Sequence, residues 1–413
     1  MGVQNQHVFI QKLLTRGNRP DVRRVHGSTG SAFSIENKIL AGDGAAGDYF
    51  GEAVAISGTT AIVGAFADQD NGSASGSAYL FDTTTGAQSA KLTASDAAAE
   101  DFFGLSVSIS GTTAIVGATG DDDNGASSGS AYLFDTTTGA QIFKLKAGDG
   151  AAADQFGRSV GISGTTAIVG AWQEDDNGSA SGSTYLFDTT TGTQTAKLTA
   201  SDGAANDYFG SSVAISGTTA IVGAYGDDDN GSSSGSAYLF DTATGAQIAK
   251  LTASDAAAND EFGSRVAISG TIAIVGAYQD DDNGANSGSA YLFDTTTGAQ
   301  IGKLTASDGA VDDRFGWAVA ISGTTAIVGA FGDDDNGSIS GSSYLFDTTT
   351  GAQIAKLTAS DGAAGDYFGQ AVAIFDDIAI ISARADKDNG TNSGSAYIYS
   401  SAATVPLPAG VWL

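Results

Sequence analysis

The sequence predicts an all-β fold, a seven-bladed β-propeller of four-stranded antiparallel blades, and three observations carry that prediction. A 53-residue unit recurs seven times without insertion or deletion, beginning at Phe50-Gly51 and returning at Phe103-Gly104, Phe156-Gly157, Phe209-Gly210, Phe262-Gly263, Phe315-Gly316 and Phe368-Gly369. Each unit consists of short apolar runs punctuated by Gly, Ser, Thr and Asp, the pattern of strands and turns. The last unit lacks a fourth strand, and a segment in fourth-strand register stands alone ahead of the first. Constant spacing means one structural unit repeated in space, so the architecture follows from one copy.

That lone segment, Ser34 to Leu40, is the first element. It occupies the place that Ala140 to Lys146 hold before the third copy, so it is expected to complete the last blade and hide the edge that an open array would expose. In the fourth copy, Val213 to Ser216 and Ala220 to Ala224 read as two buried strands, joined by a tight hairpin at Gly217-Thr218-Thr219. An acidic, Gly/Ser-rich loop leads to a third strand, Ser236 to Phe240; a turn at Thr242 to Gly245 leads to a more polar fourth, Gln247 to Thr252. Small residues on the inner strands suit wedge-shaped sheets crowding an axis. The last copy stops after its third strand, Ser395 to Tyr399. Residues 31–400 are therefore expected to form one propeller domain, after a basic and poorly ordered extension (1–30) and before a tail (401–413).

The formal charge is −29, concentrated in the repeats, because the first 27 residues carry Lys12, Arg16, Arg19, Arg23 and Arg24 against Asp21 alone. So acidic a surface argues against nucleic acid or anionic membrane as partners. No Cys is present, which excludes disulfides and thiol chemistry, and no membrane-spanning segment is seen. Both histidines, His7 and His26, lie outside the repeats, and nothing resembles a nucleophile with its base, so no catalysis is expected. The chain is expected to act as a monomer.

Carboxylates are the most visible chemistry. Between strands two and three, every copy carries an acid-x-acid-Asn-Gly loop: Asp68/Asp70, Asp121/Asp123, Glu174/Asp176, Asp227/Asp229, Asp280/Asp282, Asp333/Asp335 and Asp386/Asp388. The residue between the two acids tolerates Gln69 and Lys387, whereas the acids themselves are constant. Alternating carboxylates followed by a sharp Asn-Gly turn could wrap hard oxygens around Ca2+, the expected cofactor, and seven such ions would offset roughly half of the net charge. The same residues also suit plain acidic turns, in which Asn and Gly take positive φ and Asp accepts backbone hydrogen bonds. A further pair, Asp202 and Asp207 with its counterparts, precedes each Phe-Gly and is expected to brace a turn rather than complete a site.

Phe-Gly followed by Gly-Ala, as in Phe50-Gly51 with Gly64-Ala65, resembles the FG-GAP repeat, whose best-known members are integrin α-subunit propellers. The runs DGAAxDxFG and GSAYLFD look like the bacterial branch of that family, and the resemblance spans residues 50–399. It implies the propeller fold and a scaffold that hosts adhesion modules, sugar-binding modules and some lyases. The integrin-type calcium loop, DxDxDG, lies between the first two strands, where this chain has only Ser-Gly-Thr-Thr, so that site does not transfer by position. Near the C-terminus, Val405-Pro406-Leu407-Pro408-Ala409 resembles the VPLPA type of PEP-CTERM sorting motif, which implies export in a bacterium, although the apolar helix and basic tail of that motif do not follow.

Near-identical copies make their deviations informative. The residue after Gly-Ala runs Phe66, Thr119, Trp172, Tyr225, Tyr278, Phe331, Arg384; the residue after Phe-Gly runs Glu52, Leu105, Arg158, Ser211, Ser264, Trp317, Gln370. Phe66, Trp172, Tyr225, Tyr278, Phe331 and Trp317 are the candidate ligand contacts for a glycan or protein, with neutral drift as the competing explanation. Arg158, Arg265, Arg314 and Arg384 read as tolerated surface substitutions, and the strand-three tyrosines as core. The expected function is a secreted or surface-associated, calcium-binding module for adhesion to an extracellular protein or polysaccharide, without catalysis. The alternatives are a lectin or polysaccharide lyase using the variable face, and a purely structural acidic surface protein. An asymmetric cluster of Arg, Tyr and an acid favours the lyase; seven equivalent metal-shaped loops favour adhesion.

Overall fold

A computed structural model describes residues 22–24 and 33–401 of the protein, and its regular elements are all strands. They form seven antiparallel sheets arranged as a ring, the expected propeller. Blade one comprises Val54–Ser57, Thr60–Ala65, Ser77–Asp82 and Gln88–Leu92, hydrogen-bonded in that order. Blade four, Ser212–Ser216, Thr219–Ala224, Ser236–Asp241 and Gln247–Leu251, matches the sequence reading to within about a residue at each end. The expectations for the 1–30 extension and the 401–413 tail lie outside the described residues, save for residue 401 and a short strand, Val22–Arg24.

The strands form because each blade is buried on both faces. On one side Ile62 and Leu80 of blade one pack with Val107, Ala114 and Val116 of blade two. On the other, Val63 and Tyr79 pack with Ile380 and Ile398 of blade seven. Continuous apolar runs such as Thr-Ala-Ile-Val-Gly-Ala serve this sandwich, where a one-sided sheet would show alternation. The outermost strand is more polar and carries a bulge: Leu239 pairs with Ala249 and Phe240 with Gln247, leaving Ile248 out of the ladder and 46% exposed.

Close backbone approach explains the Phe-Gly and Gly-Ala glycines. Gly51 donates its N–H to the Gly64 carbonyl within the copy at 2.9 Å. A Cβ on Gly64 would lie 1.9 Å from the carbonyl oxygen of Gly104 in the next blade, a clash with backbone that cannot yield. The two glycine positions thus set the spacing between blades. The phenylalanine is the anchor: Phe103 is fully buried, edge-on to Tyr132 at 5.6 Å and Phe134 at 5.8 Å.

The ring closes as the sequence predicts. Ile35–Ile39 pairs antiparallel with Ser395–Ser400 and supplies the fourth strand of blade seven. Val22–Arg24 then adds a fifth strand on its outer side. Here the register runs without a bulge, so Glu36 faces inward, 4% exposed, and accepts hydrogen bonds from Tyr399 Oη at 3.2 Å and Ser360 Oγ at 2.7 Å.

Candidate functional site

One end of the ring carries both groups of candidate residues: the acidic loops on its rim and the variable side chains around its axis. In blade one the rim loop folds so that Asp68 is buried while Asp70 stays exposed, and Asp43, from the segment entering the blade, joins them. Oxygens of the three carboxylates lie within 4.8 Å of one another, a grouping that could hold a metal ion. The structure places a cation among them that the sequence reading missed. Lys91, on the fourth strand, sets its Nζ 2.7 Å from Asp43, 3.0 Å from Asp68 and 2.6 Å from Asp70. Tyr79 completes the cage, donating from Oη to Asp68 at 2.8 Å and presenting its ring 5.2 Å from the ammonium.

The cage repeats around the ring. Lys144 holds Asp96, Asp121 and Asp123; Lys197 holds Asp149, Glu174 and Asp176; Lys250 holds Asp202, Asp227 and Asp229. Lys303 holds Asp255, Asp280 and Asp282, and Lys356 holds Asp308, Asp333 and Asp335. In blade seven the cation is Lys38 of the closing strand, bound to Asp361, Asp386 and Asp388. Burial works against the charge on Lys91, but its hydrogen bonds outweigh that cost and raise its pKa above the usual lysine range. Three carboxylates can offer Ca2+ up to six oxygens, so each cluster could hold a metal ion, but the lysine ammonium occupies the space between them and the ion would have to displace it. Blade three shows the demand on geometry: the longer Glu174 accepts from Ser183 Oγ at 2.7 Å, and Tyr185 Oη is left without a partner.

The acidic pair ahead of each Phe-Gly divides its work. Asp202 goes to the cage with Lys250, at 2.8 Å, and so completes a site rather than a turn. Asp207 is buried, braces its turn by accepting the Ala204 N–H at 2.7 Å, and is pushed up to about 6 by burial and by neighbouring acids including Asp227.

Nearer the axis, the variable residues assemble into a collar. Tyr49 stacks on Phe66 at 5.5 Å; Trp172 packs against Tyr208 at 5.2 Å, and Tyr208 stacks on Tyr225 at 5.0 Å. Trp317 lies edge-on between Tyr278 and Phe331, 4.8 Å from each. Five of the six predicted contacts are half-buried, while Phe331, 8% exposed, supports the collar from beneath. A third variable position, the residue before Phe-Gly, belongs to the collar and was overlooked in the sequence: Tyr49, Phe102, Gln155, Tyr208, Glu261, Arg314 and Tyr367 all adopt φ between 52° and 62°. Side chains other than glycine rarely hold that conformation, and such strain tends to gather at functional sites. Nor are all the arginines surface substitutions. Arg384 pairs with Glu52 at 2.7 Å and lies over the rings of Tyr49 and Tyr367, while Arg158 and Arg265 line a cavity on the axis.

A model of the FG-GAP repeat matches residues 33–81, 87–134, 140–187, 193–240, 246–293, 299–346 and 352–399, tiling the whole ring. The chain belongs to the FG-GAP repeat family. Each FG-GAP match begins at or within two residues ahead of a fourth strand and ends in the next third strand, so the match unit straddles two blades as the ring closure does. FG-GAP propellers commonly serve adhesion or ligand binding and are typical of extracellular or surface proteins. No curated protein matches the sequence. Among the described residues of this FG-GAP protein no helix is long and apolar enough to cross a membrane.

Proposed function

We propose that the protein is an extracellular or surface-attached adhesion module, without catalysis, that binds a polysaccharide or protein through the aromatic collar. The observation that supports this reading most is the concentration of aromatic variation: the two positions at which aromatic rings recur but change from copy to copy, together with the one that carries Trp317, all meet around one mouth of the ring. Half-buried aromatic rings offer large contact area at small entropic cost. The test is binding of immobilised protein to bacterial exopolysaccharides and extracellular matrix proteins. Phe66→Ala and Tyr225→Ala should each weaken capture at least fivefold, while Ile248→Ala on the outer rim changes nothing. Undiminished capture by both collar variants would overturn the reading.

The lyase reading has one observation in its favour, the grouping of Arg265, Tyr278 and Glu261 near the axis. Its chemistry is disfavoured, because burial and the Glu261 hydrogen bond push Tyr278 up to about 12, and burial and Tyr208 push Tyr225 to about 12. A tyrosine base needs the opposite shift. Incubation with polyuronates should therefore yield no unsaturated, ultraviolet-absorbing product.

Calcium and the lysine ammonium compete for the same carboxylates in this reading, and the ammonium is the resident cation. The propeller then keeps its blades together without metal.

A further inference from the structure

Two of the few cations outside the lysine cages meet on the axis. Arg158 and Arg265 line a cavity of about 170 Å3 whose wall draws on the first strands and their entry residues in all seven blades. Arg265 stands where the other copies have Ala53, Ser106, Ser159, Ser212, Ala318 and Ala371, so it breaks the repeat at its innermost point. Each guanidinium packs on an indole, Arg158 5.2 Å from the ring of Trp172 and Arg265 5.2 Å from that of Trp317.

What distinguishes these arginines is the lack of a counter-charge. Among the described residues neither forms an ion pair, and the one acid lining the cavity, Glu52, is engaged by Arg384. Arg265 donates from Nη1 to the Ser264 carbonyl at 2.8 Å, and the buried Nε of Arg158 has no hydrogen-bond partner. Trp317 Nε1 and Gln370 Oε1 are likewise buried and unpartnered. Buried polar atoms are nearly always bonded, and two of these, on Arg158 and Gln370, belong to residues that line the cavity, where a ligand entering from outside the chain would meet them. Burial, with the nearby charge of Arg158, pulls Arg265 down to about 10, and Glu52 and the phenols of Tyr278 and Tyr225 oppose the shift.

Two guanidiniums that lose water and repel each other without an ion pair are costly to keep unless an anion meets them. Arginine's planar fork suits a carboxylate. Tyr225, held neutral, remains a hydroxyl donor, while Tyr278 already donates its hydroxyl hydrogen to Glu261 and offers only its ring. The volume corresponds to roughly six waters at about 30 Å3 each, enough for one carboxylate-bearing ring inserted from the mouth. We propose that the axial cavity is an anion-binding site for the carboxylate-bearing unit of an acidic saccharide, held by Arg158 and Arg265. This names a ligand chemistry at the centre of the collar, and so rests on the binding role proposed above.

The experiment titrates the protein with glucuronate, galacturonate, the matching neutral sugars and a polyuronate, reading tryptophan fluorescence and melting temperature. Arg158→Ser and Arg265→Ser are the test variants; Ser211 and Ser264 hold the first position in other copies, Ser106, Ser159 and Ser212 the second, so both variants should fold. Uronates should change the fluorescence and raise the melting temperature, neutral sugars should not, and either variant should bind at least tenfold more weakly. Without ligand, Arg265→Ser should melt no lower than the parent. Response to the monosaccharide identifies the free acid as sufficient; response to the polymer alone, lost in both variants, identifies a chain as the source. No response to any uronate, an equal response to neutral sugars, or undiminished binding by both arginine variants overturns the proposal. Polymer capture that survives the arginine variants but is lost in Phe66→Ala and Tyr225→Ala would sink the axial site while sparing the collar.

Discussion

At the scale of single residues, the decisive group is a lysine that no local motif announces. Asp68 and Asp70 were legible as a candidate cation site because they sit two apart in a loop, but Lys91 lies 23 residues beyond Asp68, on another strand. Its signal was present all the same, one lysine at a fixed place in every fourth strand, from Lys38 to Lys356. Only the blade topology brings strand four over the loop between strands two and three. Removing the cation leaves three carboxylates facing one another with Asp68 buried, so Lys91→Met should lower stability by about 2–3 kcal/mol. It should also change the response to metal. Millimolar Ca2+ measured against EDTA should leave the melting temperature of the parent within about 1 °C and raise that of Lys91→Met, since the variant alone offers calcium an open cluster. A large calcium-specific rise in the parent would instead show that the ion displaces lysine.

The single elements show how far pattern alone reaches. Four strands per copy, their order and the closing strand all follow from apolar runs between turn residues, since each run must bury two faces and has no helical period. What the pattern could not supply were features of the third dimension: the bulge that expels Ile248, the positive φ before each Phe-Gly, and the fifth strand, Val22–Arg24. The closing strand is held by more than its ladder, because Lys38 fills the blade-seven cage and Glu36 takes the Ser360 and Tyr399 hydroxyls. A Glu36→Ala, Lys38→Met pair should therefore lower the melting temperature further than Lys91→Met alone. Amide exchange in Ser395–Ser400 should accelerate before that of any other third strand. Equal protection across all seven third strands would mean that the ladder suffices.

For the whole molecule, two opposed sets of carboxyls set the response to pH. Asp48, Asp101, Asp154, Asp207, Asp260, Asp313 and Asp366 are raised from 3.8, chiefly by burial, with Asp207 and Asp313 reaching about 6. A carboxyl whose pKa rises on folding holds its proton more tightly in the native state. Its stabilisation is complete below the unfolded value and lost as pH rises through about 6. Burial also opposes ionisation of Asp43, Asp96, Asp149, Asp202, Asp255, Asp308 and Asp361, yet hydrogen bonds from the cage lysines prevail and lower them. Their contribution is present above 3.8 and lost as pH falls through the depressed values. The opposed slopes meet at the unfolded value, so the melting temperature should peak near about pH 4, declining as pH rises through about 6 and again as pH falls below the peak, which a calorimetric series would test. The closure also imposes a schedule. Glu36 and Tyr399, which meet in the last blade, stand 363 residues apart, and at about 5–20 residues per second the ribosome needs roughly 20–70 s to make the intervening chain. For all of that time the closing strand exists without its partner, so nascent neighbours on one message can exchange strands and lock two chains into a single interlinked pair of rings.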